Sequence, residues 1–216
     1  TVLASDTPDI VDRSIDEFEY HVNMARWMGF GKSFQDGCKI NVHISGRQGP
    51  AGIIKAIPRL SPEARNLLTI ENDEMGWGLE SSLELEKHCA LVLDIHHHWV
   101  RTGEYIQAND DRVKRIIDSW RGVRPTMHYS YSRDEWLTPA YPNAEDMHKG
   151  FHDMETLLSK GCKKQKLRAH SEMLPNRAVN EWALSFLPNL DIQVEAKMKN
   201  QAAEQLHSQA EELGLV

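Results

Sequence analysis

Seven side chains of types that hold metal ions recur at the ends of apolar stretches in this chain: His43, Glu71, Asp94, His97, His128, His170 and Glu195. They fall at the C-terminal ends of six short stretches, Cys38–Ser45, Asn66–Asp73, Ala90–His96, Val123–Ser130, Gln165–His170 and Asp191–Ala196, which read as strands from their apolar runs and alternation. A lone histidine at a strand end is usually a hydrogen-bonded structural residue, and a lone glutamate a cap or a solvated charge. Ionisable groups at every strand end are another matter, because apolar strands seldom finish in such groups unless these are paired or metal-bound. The clearest case is Leu91-Val92-Leu93-Asp94-Ile95-His96-His97-His98-Trp99, an apolar run that delivers Asp94 and then His97. Strand alternation puts His96 on the Asp94 face and His98 just past the strand, near solvent.

Four imidazoles and three carboxylates exceed the three or four protein ligands of one catalytic metal. Carboxylates can bridge, so two or three divalent ions are expected. With no thiolate in the set, the mixed N/O donors suit Mn, Zn or Fe, which donor type alone does little to rank. Closely spaced metals recur in phosphoryl transfer, where they generate a hydroxide, polarise the phosphate and stabilise the leaving oxygen. The chemistry indicated is phosphodiester hydrolysis.

The elements that must position these residues alternate strand with helix. Helical periodicity covers Asp9–Trp27, Gly52–Ile57, a start at Ser61-Pro62-Glu63, Leu79–His88, Asp110–Trp120, Glu145–Ser159, Asn176–Leu187 and Met198–Leu213, and residues 131–150 read as a long loop. Six strand-helix repeats imply a parallel sheet with right-handed crossovers. Chemistry at every strand end, with neither GxGxxG nor GxxxxGK[ST] present, favours a barrel over a doubly wound sheet. The expected fold is α/β of the TIM-barrel type, one domain over residues 1–216.

Composition sets the bounds. The chain has 216 residues, 40% hydrophobic and 26% charged, which is enough for a real core. The net charge of −7 argues against binding nucleic acid by overall positive charge, while leaving room for a local basic cleft. Three scattered cysteines, Cys38, Cys89 and Cys162, favour reduced thiols in the cytoplasm. No apolar run approaches a membrane span, and the first residues carry no signal-peptide pattern. His21, His88 and His207 read as surface residues. His148 and His152, at i, i+4 spacing beside a loop, are expected to be solvent-exposed, and Lys160–Arg168 to be a solvated basic stretch. Trp99, Trp120 and Trp136 are assigned to packing.

The motifs together resemble the UV-damage endonucleases. The matching stretches are Ile40-Asn41-Val42-His43, Glu71-Asn72-Asp73, Asp94-Ile95-His96-His97, Met127-His128-Tyr129-Ser130, Arg168-Ala169-His170-Ser171-Glu172 and Val194-Glu195-Ala196-Lys197-Met198-Lys199, in the family's order. The resemblance implies a TIM barrel of the apurinic-endonuclease and xylose-isomerase type. It implies a metal-dependent enzyme that nicks damaged double-stranded DNA 5′ to a photolesion, acting as a monomer. It places His43 and Glu71 at one metal, Glu71, Asp94, His128 and Glu195 around a second, and His97 and His170 at a third, with Glu71 as the bridge. Glu71, Glu195 and Lys197 take catalytic roles, with Lys197 near the scissile phosphate. Arg47, Gln48, Asn72, Lys197 and Lys199 are the implied DNA contacts. His96 receives no ligand role.

Two departures from the family pattern stand out. A His-Pro-Gly-Gln-aromatic motif expected ahead of Asp9 is not in this chain, so six of eight βα units are expected and the barrel is read as N-terminally truncated. Thr126 stands two before His128, where some members carry a modified lysine near the metals. Two further readings stay open: a sugar isomerase or epimerase on the same barrel, and a truncated barrel that binds metal or DNA without cutting.

Overall fold

The computed structural model describes residues 1–216. The chain packs as two compact units, Thr1–Leu93 with Asn109–Pro125, and Asp94–Ala108 with Thr126–Val216.

The first unit opens with helix α1 (Pro8–Trp27), which has Pro8 at its first turn and buries Ser14, Ile15, Phe18, Val22 and Ala25 along one stripe. Strands β1 (Ile40–His43), β2 (Leu68–Glu71) and β3 (Ala90–Asp94) follow, all parallel, with Ile40 opposite Leu68 and Thr69 opposite Ala90. The connections carry α2 (Gly49–Ala56), α3 (Pro62–Leu67) and α4 (Leu79–Leu83), and Ser61 caps α3 by accepting from the Ala64 amide at 3.1 Å. β2 and β3 are buried along their whole length, as strands covered on both faces must be, whereas β1 is only partly buried.

Cys89 reports tight packing at the start of β3: burial pushes its thiol up to about 12. Trp120 lies against Phe34, Ala90 and Val92. Its indole N–H donates to the Leu91 carbonyl at 2.7 Å, and Ser119 Oγ accepts from the Leu91 amide at 3.0 Å. The preceding helix, α6 (Asp111–Ser119), is capped by Asp110.

The second unit begins with Asp94 itself and helix α5 (Ile95–Thr102), closed by Gly103 in the left-handed region at φ +80°. Parallel strands β4 (Thr126–Tyr129) and β5 (Asp191–Val194) pair with Thr126 opposite Asp191. Around them lie α7 (Asp134–Leu137), α8 (Ala144–Met147), α9 (Met154–Ser159), α10 (Lys164–Leu167), α11 (Arg177–Leu184) and α12 (Asn200–Glu212). A buried amide network holds the helices to the strands. Tyr129 donates to Asn180 Oδ1 at 2.7 Å, and the Asn180 amide donates to Leu174 O and Gln209 Oε1 at 2.8 and 3.0 Å.

The class is α/β with parallel strands, as the alternation implies, but several local expectations are corrected. There are five strands rather than six. Gln165–His170 is not a strand: Lys166 and Leu167 amides both donate to the Lys163 carbonyl, at 2.7 and 3.2 Å, making the helical turn α10. The stretch has no β-branched residue and a single fully buried one, Leu167, so nothing in it favours an extended ladder. Residues 131–150 contain α7 and α8 rather than one long loop. Glu145–Ser159 is two short helices, interrupted around Gly150, and not one.

His152 is buried, contrary to the exposure expected of it. Its Nε2 meets the Tyr131 hydroxyl at 2.6 Å, and it packs among Trp99, Tyr141 and Tyr131. Tertiary packing of aromatic rings outweighs its position next to a polar loop. Burial, and then the neighbouring His148, hold the His152 imidazole down at about 4 against an ordinary 6.5.

Two outcomes follow. Trp120→Ala removes a buried ring and leaves the Leu91 carbonyl without its donor, so urea denaturation should show a loss of about 3–5 kcal/mol. Between about 6.5 and about 4 the unfolded chain takes up a proton that folded His152 refuses. Its contribution is therefore complete above that window and is lost as pH falls through it. Denaturation series in this range should give His152→Gln a flatter pH dependence than the parent chain, by about 2–3 kcal/mol across the window. Equal slopes would contradict the assignment.

Candidate functional site

In the first unit the β1–β2 register sets His43 directly opposite Glu71. His43 Nε2 lies 3.5 Å from Glu71 Oε2, and His43 Nδ1 lies 3.7 Å from Asp73 Oδ2. Glu71 is 1% exposed, a carboxylate almost wholly removed from water. Asn41, two residues before His43 and so on its face of the strand, donates its amide to Glu71 Oε2 and accepts from Thr69 Oγ1 at 3.1 Å. Thr69 therefore orients Asn41, and Asn41 orients Glu71. Asp73 is fixed in turn by the Met75 amide at 2.7 Å and by the Gly76 amide.

Of the residues implied to meet DNA here, Arg47 is exposed in the turn after β1. Gln48 spends its amide on the Ser5 carbonyl at 2.8 Å. Asn72 is fully buried. Glu74, also buried, is a carboxylate that the strand-end pattern does not single out. Its signal is the run Glu71-Asn72-Asp73-Glu74 directly after an apolar strand.

In the second unit the stretch around Asp94 departs from its expected form. The strand stops at Asp94, and His97 stands on a helix. Asp94 is extended, at φ −95° and ψ 110°, and its Oδ1 accepts from the His97 amide at 2.7 Å. The three-residue spacing is thus the geometry of an N-cap and its third helical residue. His97 Nδ1 returns to within 3.5 Å of Asp94 Oδ2. Strand alternation consequently does not apply to His96, which lies in the first turn of α5. His98, expected near solvent, is 3% exposed and meets Glu104 Oε2 at 2.8 Å.

His128 and Glu195 come together because the β4–β5 ladder continues one step further: the Glu195 amide donates to the Tyr129 carbonyl at 2.9 Å. His128 Nδ1 lies 3.5 Å from Glu195 Oε1, and His170 Nε2 lies 3.9 Å from Glu195 Oε2. One carboxylate presents an oxygen to each imidazole. His170 reaches this place without a strand of its own. An isolated antiparallel bridge pairs Ser132 with His170, the Arg133 amide donates to Ala169 O at 2.9 Å, and the Ser171 amide donates to Tyr131 O at 2.7 Å. Lys197 and Lys199 are exposed just beyond, with the Lys197 amide held by Ser171 O at 2.9 Å. Thr126 is half-buried at the start of β4.

The sequence motifs give His96 no role, yet it is 4% exposed and held at both nitrogens: Ser130 Oγ stands 2.8 Å from Nδ1 and Ser132 Oγ 3.1 Å from Nε2. Burial, with the neighbouring His97 and His170, keeps this imidazole well below the ordinary histidine range.

These groups suit a divalent cation by donor type and by spacing. Two ligand atoms each about 2.1 Å from one ion lie roughly 3–4 Å apart, and the His–carboxylate pairs described above for His43, His97, His128 and His170 stand at 3.5, 3.7, 3.5, 3.5 and 3.9 Å. The donors are imidazole and carboxylate throughout. Cys89 and Cys162 are buried. No helix is long and apolar enough to cross a membrane.

Comparison with known proteins gives a consistent result. Residues 1–215 match the family described as UV-endonuclease UvdE. The chain is 27% identical over 218 residues to a UV-damage endonuclease of Schizosaccharomyces pombe, covering 95% of this chain and 31% of that protein. It is 25% identical over 214 residues to a UV DNA damage endonuclease of Nostoc sp., covering 96% of this chain and 55% of that protein. A UV-damage endonuclease of Neurospora crassa is 27% identical over 155 residues, 64% of this chain and 24% of its own length. This chain thus spans between about a quarter and just over half of these relatives. The crystal structure of SacUVDE matches with a TM-score of 0.72 at 21% identity, covering all of this chain and 63% of that one, which establishes a shared TIM-barrel-type fold. With the match running from the first residue to the last but one, the chain belongs to the UV-endonuclease UvdE family.

Proposed function

We propose that this chain is a metal-dependent endodeoxyribonuclease that hydrolyses the phosphodiester 5′ to a photolesion in double-stranded DNA. It would act as a cytoplasmic monomer with a di- or trinuclear centre. The observation that carries the reading is the family match over residues 1–215; it is supported by the sequence motifs bearing His43, Glu71, Asp94, His97, His128, His170 and Glu195. Those seven are the proposed ligands, Mn is the proposed metal, and Zn or Fe are alternatives. When bound, such metals supply a hydroxide nucleophile and neutralise the leaving oxygen.

The protein's own groups do the rest. Asn41 holds Glu71 Oε2 in a fixed orientation, so this buried carboxylate does not reorganise during the reaction. Glu195 is shared between His128 and His170. Lys197, exposed on a backbone pinned to Ser171, is proposed to meet the scissile phosphate as charge develops there. Lys199 and Arg47, also exposed, are proposed to contact the DNA backbone. Damage would be sensed through the ease with which the duplex kinks and unstacks.

Supercoiled plasmid irradiated with UV should be relaxed by the chain in Mn²⁺, and unirradiated plasmid should stay supercoiled. Equal nicking of both would overturn the lesion specificity. Glu71→Gln keeps the shape of the side chain and removes its charge; its nicking rate should fall by about 100-fold or more with an unchanged circular dichroism spectrum.

A further inference from the structure

Of the three adjacent histidines after Asp94, only His97 is a proposed ligand. His96 is partnered at both ring nitrogens. Ser132 has one hydroxyl proton, and that proton goes to the Leu167 carbonyl at 2.6 Å. Ser132 Oγ therefore faces His96 as an acceptor, at 3.1 Å, and the ring carries its hydrogen on Nε2. Nδ1 then accepts from the Ser130 hydroxyl at 2.8 Å. Every donor and acceptor in this chain of hydrogen bonds is directed.

One ring thus ties three segments of the second unit together: the first turn of α5, the residues leaving β4, and the turn ending α10. Each leads to a proposed ligand. His97 is the next residue on α5. His128 lies on β4, two residues before Ser130. His170 is bridged through its backbone to Ser132, and its ring meets that of His96 edge-on, with centroids 6.3 Å apart.

We propose that His96 is a positioning residue, which through Ser130 and Ser132 sets where His97 and His170 stand as donors toward a divalent cation. The inference rests on the metal reading above and goes beyond it. The His96 nitrogens are both spent on serines, so its effect passes through the segments it clamps and not through coordination. Groups that orient metal ligands in this way typically contribute about 10- to 100-fold to metal affinity.

The test is titration of the full chain with Mn²⁺, following free Mn²⁺ by electron paramagnetic resonance and checking each variant's fold by thermal melting. His96→Leu should weaken Mn²⁺ binding about tenfold or more. His96→Gln, whose amide nitrogen can donate to Ser132 in place of Nε2, should recover most of that loss. Ser132→Ala, which leaves every proposed ligand side chain in place, should weaken binding in the same direction. A folded His96→Leu chain with the parent's Mn²⁺ affinity overturns the inference, as does a folded His96→Gln chain no better than His96→Leu. If His96→Leu fails to fold, Ser132→Ala decides, and parental affinity there overturns the inference. If the parent chain binds no Mn²⁺, the metal reading itself fails and this inference falls with it.

Discussion

The arrangement depends on carboxylates held out of water. Glu71 and Asp94 are 1% and 0% exposed, and a carboxylate so placed needs compensation by hydrogen bonds or by positive charge. Around Glu71 this demand explains the relay from Thr69 through Asn41 and the facing His43 imidazole. Around Asp94 it explains why the strand becomes a helix at that residue: the helix start offers the His97 amide at 2.7 Å, and the ring of His97 turns back toward the same carboxylate. Such sites are costly as purely structural devices, because a buried charge with partial compensation destabilises the fold. Placed to meet a divalent cation, the same cost becomes pre-organisation.

A graded order follows from this. The strands deliver the carboxylates and two of the imidazoles, the Asn41 amide orients Glu71 and the His97 amide orients Asp94, and Lys197 and Lys199 are exposed.

Much of this is legible in the amino-acid sequence alone. His43, Glu71, His128 and Glu195 are readable because apolar runs with β-branched residues end at or beside them, and a parallel ladder has to place its last residues together. How His170 arrives beside Glu195 is not readable, since its segment is held by backbone hydrogen bonds with residues distant in sequence, the Arg133 amide donating to Ala169 O and Tyr131 O accepting from the Ser171 amide. The three-residue spacing of Asp94 and His97 has a different local reason from the strand end expected of it: a capping aspartate after a strand signals a helix start, and the apolar residues around it mask that signal. The burial of His96, His98 and His152 is not legible at all. It comes from serines, a glutamate and aromatic rings brought in by tertiary packing, which no local pattern records.

The central claim is that these histidines and carboxylates bind the metals of a nuclease. Anomalous diffraction from crystals grown with Mn²⁺ tests it most directly. Peaks within about 2.5 Å of nitrogen or oxygen atoms of His43, Glu71, Asp94, His97, His128, His170 and Glu195 are the predicted result. Well-diffracting crystals with Mn²⁺ bound elsewhere, and none at these side chains, would contradict it.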